Sequence, residues 1–175
     1  MILIPKSQNQ IQTTGSLSLV LVDTITGKTR QEIYVPNLIV TLGKAFIASR
    51  MVGTTQAIMS HMGIGTSEST ELVGQGNLIA ELTVAGGYTG YTRVVTSTAS
   101  ASGAVVTYMS TFAAQNPSAP ALTGTGATQS GGAILREAGI FNASTGGTML
   151  CRTTFPVVTK LPADALTITW QVTIS

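Results

Sequence analysis

The single histidine, His61, is the first residue in this sequence whose side chain could carry out chemistry. An imidazole can act as a general base or as a metal ligand. A metal site needs three or four ligands, however, and neither a second histidine nor a cysteine lies near His61 in the sequence. Met59 and Met62 accompany it in the stretch IMSHMGIG. We therefore interpret His61 as a packed strand residue, and we expect no metal and no cofactor.

The single cysteine, Cys151, excludes a disulfide within the chain and is also predicted to be structural. It alternates in phase with Met149 and Phe155, which places the three side chains on the core face of a strand. A lone buried thiol behaves as a small hydrophobe. Arg152 is expected on the opposite face, where it would not readily lower the pKa of the thiol.

Glu137 lies inside the apolar strand pattern ILREAGIF, where it is expected to share a face with Leu135 and Phe141. A buried carboxylate needs a cation or several hydrogen-bond donors. Arg93 and Arg152 are the candidate cations. We interpret the three charged residues as a structural brace. A catalytic carboxylate is the alternative, for which the sequence shows no partner.

The remaining motifs that could bind phosphate or hydrolyse a substrate are weak. The glycine stretches 63–65 and 124–126 lack the patterns of phosphate-binding loops, and we interpret both as turns. Glu68 and Glu71 are close together, but the polar loop that holds them predicts solvated carboxylates. The sequence therefore indicates a protein that is not an enzyme.

The composition favours one β-rich domain that is covered by partners. The chain has 175 residues and a net charge of +2, and only 9 % of its residues are charged, against about 25 % in ordinary soluble domains. The absence of a basic run argues against nucleic acid, and no apolar run is long enough for a membrane helix. A sparsely charged surface indicates contacts with copies of the chain or with another protein.

The patterning predicts a mainly β fold, a jelly-roll-like β-sandwich with one packed α-helix at about residues 37–51 and Asn37 as its cap. A further helical turn is expected at 77–82, and a turn of small residues at 99–103. Residues 1–16 are predicted to be an N-terminal arm, and 17–175 a single sandwich domain. The strongest strand pattern runs from Leu166 to Ile174. Three aromatic residues are expected in the core: Trp170, Phe155 and Phe141.

Two polar segments are candidates for contact with a partner. The first is the arm, whose apolar tip contains Ile2, Leu3 and Ile4. The second is the uncharged loop 115–132, which contains Pro117 and Pro120. Long structureless loops in compact domains are usually functional or disordered. A mobile loop and a leader without a role are the alternatives.

Three stretches carry a resemblance to known proteins: VPNLIVTLGKAFIASRM (35–51), MSHMGIGT (59–66) and EAGIFNASTGGTMLCRTTFPVVTKLPADALTITWQVTI (137–174). In their order and content they resemble a set of small structural proteins of tailed bacteriophages. The resemblance implies a β-rich component of the virion that forms symmetric oligomers on the head or the tail. It implies no catalytic residues.

The leading hypothesis is a capsid decoration (cement) protein, a homotrimer that binds the major capsid protein on the outside of the head. Such a protein would be assembled in the cytoplasm of the bacterial host and would act in the virion. The alternative is a tail or fibre component. An enzyme would need paired carboxylates, and a carbohydrate-binding module would need exposed aromatic residues.

Overall fold

The computed structural model describes residues 12–53, 56–88, 90–117 and 132–175. Their strands form two five-stranded antiparallel sheets packed face to face, so the predicted β-sandwich with one helix is confirmed. The elements are β1 (Thr13–Asp23), β2 (Thr29–Pro36), β3 (Leu38–Ile39), α1 (Thr41–Met51), β4 (His61–Gly65), β5 (Val94–Val95), β6 (Thr98–Ser102), β7 (Val105–Phe112), β8 (Ala133–Phe141), β9 (Met149–Lys160) and β10 (Asp164–Ile174).

The first sheet has the strand order β2-β1-β10-β7-β6, and the second has the order β3-β9-β8-β4-β5. β1 pairs with β10 from Thr13 opposite Ile174 to Asp23 opposite Asp164. In the second sheet β3 pairs with β9 in the same way. The early and the late strands therefore run side by side in both sheets.

The predicted boundary of the N-terminal arm is wrong at its end. Residues 13–16 are not part of an arm, because their backbone completes the ladder between β1 and β10. Hydrogen bonding to a neighbouring strand satisfies backbone groups whether or not the side chains are apolar. Gln12 is also held at this end of the ladder, because the amide of Ser175 donates to its carbonyl at 2.9 Å. The remaining residues of the arm, 1–11, lie outside the described residues.

The core between the sheets is built on alternating apolar residues of β1 and β10. Trp170 is fully buried, and Phe155 of β9 is 7 % exposed in the same cluster. Phe141 is also fully buried, but in a second, smaller cluster that contains Met149. Cys151 belongs to the main cluster, so it does not share a face with Met149 as predicted. A register shift next to Phe141 causes this change of phase.

The helix begins four residues later than predicted, at Thr41. The apolar residues Leu38 and Ile39 have helical spacing, but they pair with Arg152 and Cys151 of β9 as strand β3. Asn37 is not the helix cap, since its backbone amide donates to the carbonyl of Gly15 at 3.0 Å. Pairing with an available strand has outweighed the local helical pattern.

Two further local predictions are wrong. Residues 77–82 form bends and a single bridge between Gly65 and Glu81, not a helical turn. The expected turn at 99–103 lies largely inside β6, and the chain reverses at Gly103, whose φ is +57°. Small side chains are typical of turns, but here they occupy an edge strand.

Helix α1 lies directly on the backbone of β9 through a glycine. Gly43 and Phe46 are its buried residues, and a Cβ at Gly43 would overlap the carbonyl oxygen of Leu150. The amide of Val40 donates to this same carbonyl at 3.3 Å. Only glycine permits such a close approach, so Gly43 fixes how the helix packs.

Gly43→Ala is expected to destabilise the fold by about 1–3 kcal/mol, because a methyl group must displace backbone of β9. The better helix propensity of alanine returns only about 1 kcal/mol. Gly74→Ala is the matched control, since a Cβ there meets nothing within 4 Å. Urea unfolding of the three proteins measures both changes. Equal stability of the two variants would contradict the packing described for Gly43.

Candidate functional site

A loop covers the outer face of the second sheet. We call residues 66–80 the covering loop. Its ends meet, because the amide of Thr66 donates to the carbonyl of Ala80 at 2.9 Å. Compact loops with adjoining ends are frequently functional. The sequence predicted a solvated polar segment here, but the structure fixes the loop to β8, β9 and α1 through buried polar contacts.

Glu137 and Arg152 form a salt bridge beneath the covering loop, with Nε 2.8 Å from Oε2 and both side chains fully buried. The carboxylate also accepts hydrogen bonds from the amides of Ala80, at 2.7 Å, and Ile79, at 3.2 Å. The guanidinium donates to the carbonyl of Ser69 at 3.0 Å. The pair therefore holds both halves of the loop on the sheet.

Glu137 faces the covering loop rather than the space between the sheets. Successive side chains of a strand point to opposite faces, so Glu137 lies on the face opposite to that of Ala138. This is the face of Phe141, as predicted, but not the face of Leu135. The register between β8 and β9 shifts between Leu135 and Glu137. Pro156 lies within this shift, on the β9 side, and proline inside a sheet is typically found at such irregularities.

The other arginine of the predicted brace, Arg93, does not contact Glu137. It forms a separate salt bridge with Glu81, in which Nε and Nη2 each lie 2.7 Å from a carboxylate oxygen. Its Nη1 donates to the carbonyls of Ala143, at 3.2 Å, and Gly146, at 2.7 Å. The predicted brace is thus two braces, and Glu81 is the residue that the sequence analysis missed.

Two aromatic residues complete the second salt bridge. The guanidinium of Arg93 lies 3.4 Å from the ring centre of Phe141, a cation–π contact. The hydroxyl of Tyr91 donates to Glu81 at 3.0 Å and accepts from the amide of Ile64 at 3.2 Å. Burial and the charge of Glu81 raise the pKa of Tyr91, so this phenol stays protonated.

Gly63 and Gly65 belong to strand β4 and are not turn residues, which corrects the interpretation of the stretch 63–65. A Cβ at Gly63 would lie 3.0 Å from a carboxylate oxygen of Glu81, and one at Gly65 would lie 2.5 Å from a carboxylate oxygen of Glu137. The two glycines therefore make room for the partly exposed carboxylate of Glu81 and the buried carboxylate of Glu137. The glycines of the motif HMGIG leave this space free of side-chain atoms.

Glu71 is bound rather than solvated. Its carboxylate accepts hydrogen bonds from the amide and the hydroxyl of Thr154, the latter at 2.7 Å. Burial raises the pKa of Glu71, but the hydrogen bonds from Thr154 and from a backbone amide, together with the charge of Arg152, lower the pKa overall. Glu68 is the more exposed of the two acids and pairs with Arg136.

A cavity of about 420 Å³ opens beside the Arg93–Glu81 pair, with Val84, Thr92 and Ser144 in its lining. The charged groups at its base are already committed to each other and to backbone carbonyls. The cavity therefore offers apolar and hydroxyl surface rather than a free charge for a substrate.

His61 has a serine partner but no acid to orient it. Its Nδ1 lies 2.9 Å from the hydroxyl of Ser60, the kind of pair from which nucleophilic catalysis begins. Burial and the charge of Arg93 lower the pKa of His61. The nearby carboxylates, Glu81 and Glu137, are held by arginines. Within the described ranges, no three His, Cys, Asp or Glu residues gather as metal ligands.

Cys151 and Lys160 are two further buried groups whose pKa values are shifted by burial. Burial raises the pKa of the Cys151 thiol, which is fully buried. Burial lowers the pKa of Lys160 to about 8, although Asp164 favours the cation. The ammonium donates to the carbonyl of Ala113 at 2.9 Å. No pattern in the sequence predicts that Lys160 is buried, because Lys160 is the last residue of strand β9.

The covering loop presents apolar residues next to helix α1. Leu72 and Val73 are 62 % and 53 % exposed, and Leu42 of the helix is 48 % exposed. The amide of Thr41 donates to the carbonyl of Val73 at 2.7 Å, which places the two segments side by side. We call Leu42, Leu72 and Val73 the apolar patch. It is the best candidate binding surface that the described residues carry.

The predicted partner contacts receive no support at the one position that the structure describes. Pro117 is buried. Pro120 and the tip residues Ile2, Leu3 and Ile4 lie outside the described residues. No helix in the described ranges is long and apolar enough to cross a membrane.

No family model matches the chain, and no curated protein matches it. The function is therefore argued from the residues and contacts described above.

Glu137→Gln is expected to destabilise the protein by about 3–5 kcal/mol, because it leaves the buried charge of Arg152 uncompensated. Arg136→Gln, which breaks the more exposed pair with Glu68, is the control and is expected to cost less than about 1 kcal/mol. The double variant Glu137→Leu/Arg152→Met should be less destabilised than the sum of the changes measured for Glu137→Leu and Arg152→Met singly. Chemical denaturation of the wild type and of these variants measures the coupling, and strict additivity would exclude it.

The stability of the protein should depend on Lys160 between pH 7 and 9. The pKa of Lys160 is about 8 in the folded protein against an ordinary 10.5, so within this window the unfolded state binds the proton more tightly. Stability therefore rises with pH, and the cost of the buried cation is present in full below the window. The free energy of unfolding of the wild type, minus that of Lys160→Met, should rise by about 1 kcal/mol. A flat difference would show that Lys160 titrates normally.

Proposed function

We propose that this protein is a structural component of a tailed-bacteriophage particle, and specifically a decoration protein that binds the outer surface of the major capsid lattice. The observation that carries the proposal is the apolar patch on an almost uncharged chain. Large exposed apolar residues on a soluble protein mark contact surfaces when they are contiguous. The low charge, 9 % of residues, makes a surface that assembly covers.

The positions of the three resembling stretches support this proposal. Residues 35–51 build β3 and α1, residues 59–66 build β4, and residues 137–174 build β8 to β10. These elements form one connected unit, which consists of the second sheet, the helix on its surface and the last strand of the first sheet. Gly43, Gly65 and Glu137, which make its closest contacts, all lie in the three stretches. The resemblance therefore covers residues that lie together in one part of the structure.

The rigidity of the covering loop suits a protein that stabilises a lattice. A decoration protein acts by adding buried surface across the seam between neighbouring capsomers. A surface already held by salt bridges loses little conformational entropy on binding, so more of the contact energy appears as affinity. The proposed partners are the major capsid protein and copies of the chain itself, arranged as a trimer. We propose no enzymatic activity, no cofactor, and no binding to nucleic acid or membranes.

A tail or fibre component is the second candidate, and the number of copies in a particle separates the two. Hundreds of copies per virion indicate decoration of the head, whereas a few to a few dozen indicate the tail. A quantitative gel of purified virions measures this number. Sedimentation of the purified protein tests the trimer, and a stable monomer at micromolar concentration would contradict any obligate oligomer.

Leu72→Lys is expected to weaken rebinding to particles stripped of the protein by about tenfold or more, because binding would bury the new charge. Ile25→Lys is the matched control, since Ile25 is 82 % exposed in the turn between β1 and β2, away from the patch. A pull-down with stripped heads measures both variants. Equal binding by both would remove the apolar patch from the mechanism, and binding to tails alone would favour the second candidate.

The same assay tests the N-terminal arm. A deletion must end before Thr13, because β1 begins there. A chain lacking residues 2–11 should keep the melting profile of the wild type and lose binding to stripped particles. Undiminished binding would exclude the arm as a contact.

A further inference from the structure

The ends of the two sheets differ in how they are protected from other strands. Four edge strands are present in the described residues: β2 and β6 in the first sheet, and β3 and β5 in the second. An edge strand exposes unpaired backbone donors and acceptors, to which a further strand can add. Natural proteins block this with short strands, charged side chains or proline.

Three of the four edges carry such protection. β3 and β5 are only two residues long, which is too short to hold another strand. β2 is longer, but it carries Arg30 and Glu32 and ends at Pro36. Proline cannot donate to a ladder, and charges disfavour the loss of solvent at an interface.

β6 has none of these features. Its sequence is TASAS, and all five residues are exposed, so neither face of the strand packs against the sandwich. No Asp, Glu, Lys or Arg occurs in residues 94–135, and no proline precedes Pro117 in that stretch. The neighbouring strand β7 is half-buried over residues 105–109, which include Val106 and Tyr108. The hairpin β6–β7 therefore presents a neutral, partly apolar ribbon with an open edge.

The pattern of β6 is complementary to itself. In an antiparallel pair centred on Ser100, Thr98 lies opposite Ser102, Ala99 lies opposite Ala101, and Ser100 lies opposite its own counterpart. Each pair consists of small, uncharged side chains, so no like charges and no bulky groups meet.

We propose that β6 pairs with β6 of a second copy of this chain, antiparallel and about a two-fold axis at Ser100. The two five-stranded sheets then form one continuous ten-stranded sheet, and the half-buried residues of both β7 strands lie next to the contact. Such an interface uses the same patch on both copies and closes as a dimer. It does not depend on the proposed role in the virion, and it fits a trimer only if a second interface exists.

The test uses the full chain and introduces a positive or a negative charge at Ser100. The wild type should sediment as a dimer or a multiple of it. Ser100→Lys places two like charges opposite each other and should raise the dissociation constant about tenfold or more. An equimolar mixture of Ser100→Lys and Ser100→Glu should restore the dimer, because opposite charges then face each other. Thr29→Lys, on the protected edge β2, is the matched control and should sediment as the wild type does.

A cross-linking measurement keeps the test independent of the stability of the charged variants. Ser100→Cys should give a covalent dimer with a short thiol-specific cross-linker, whereas Thr29→Cys should not. The native thiol of Cys151 is fully buried, so the wild type provides a silent background. A monomeric wild type at micromolar concentration, an oligomer that Ser100→Lys leaves intact, or equal cross-linking of the two cysteine variants would each overturn the proposal.

Discussion

The buried salt bridge between Glu137 and Arg152 is the interaction on which the outer layer of this protein depends. Two charges removed from water are costly unless further hydrogen bonds satisfy them, and here the additional partners come almost entirely from the covering loop. If the covering loop left the sheet, both ions would lose these hydrogen bonds and become exposed to solvent. Gly65 is glycine for the same reason, since the carboxylate occupies the place of a side chain.

The protein thus has two layers held by different forces. Between the sheets, apolar residues around Trp170 provide stabilisation that depends on buried area and tolerates changes of shape better than changes of polarity. Above the second sheet, two arginine–carboxylate pairs and their backbone donors provide directional contacts that fix one arrangement of the loop. The first layer makes the chain fold, and the second gives the surface a defined shape.

Two separate surfaces follow from this construction. The apolar patch lies on the second sheet's outer layer, next to α1, whereas the open edge of β6 belongs to the first sheet. One molecule could therefore contact a particle through the patch and a second copy through β6 without competition between the two. The exposed surface of a chain with few charges has little electrostatic repulsion to keep molecules apart.

Sequence patterns alone predict the β-sandwich, one helix at about residues 37–51, of which 41–51 are helical, the burial of Trp170 and the need of Glu137 for a cation. These properties are local, since period-two alternation and an isolated charge in an apolar strand can be read without knowing the neighbours. The partners were decided only by the tertiary structure. Glu81 and Arg93 are brought together by the end of the covering loop, and a register shift turns Glu137 away from the inner core. Residues 13–16 and Leu38 are in strands rather than in an arm and a helix, because they hydrogen-bond to strands that are distant in the sequence. Local sequence patterns do not show which strands will pair.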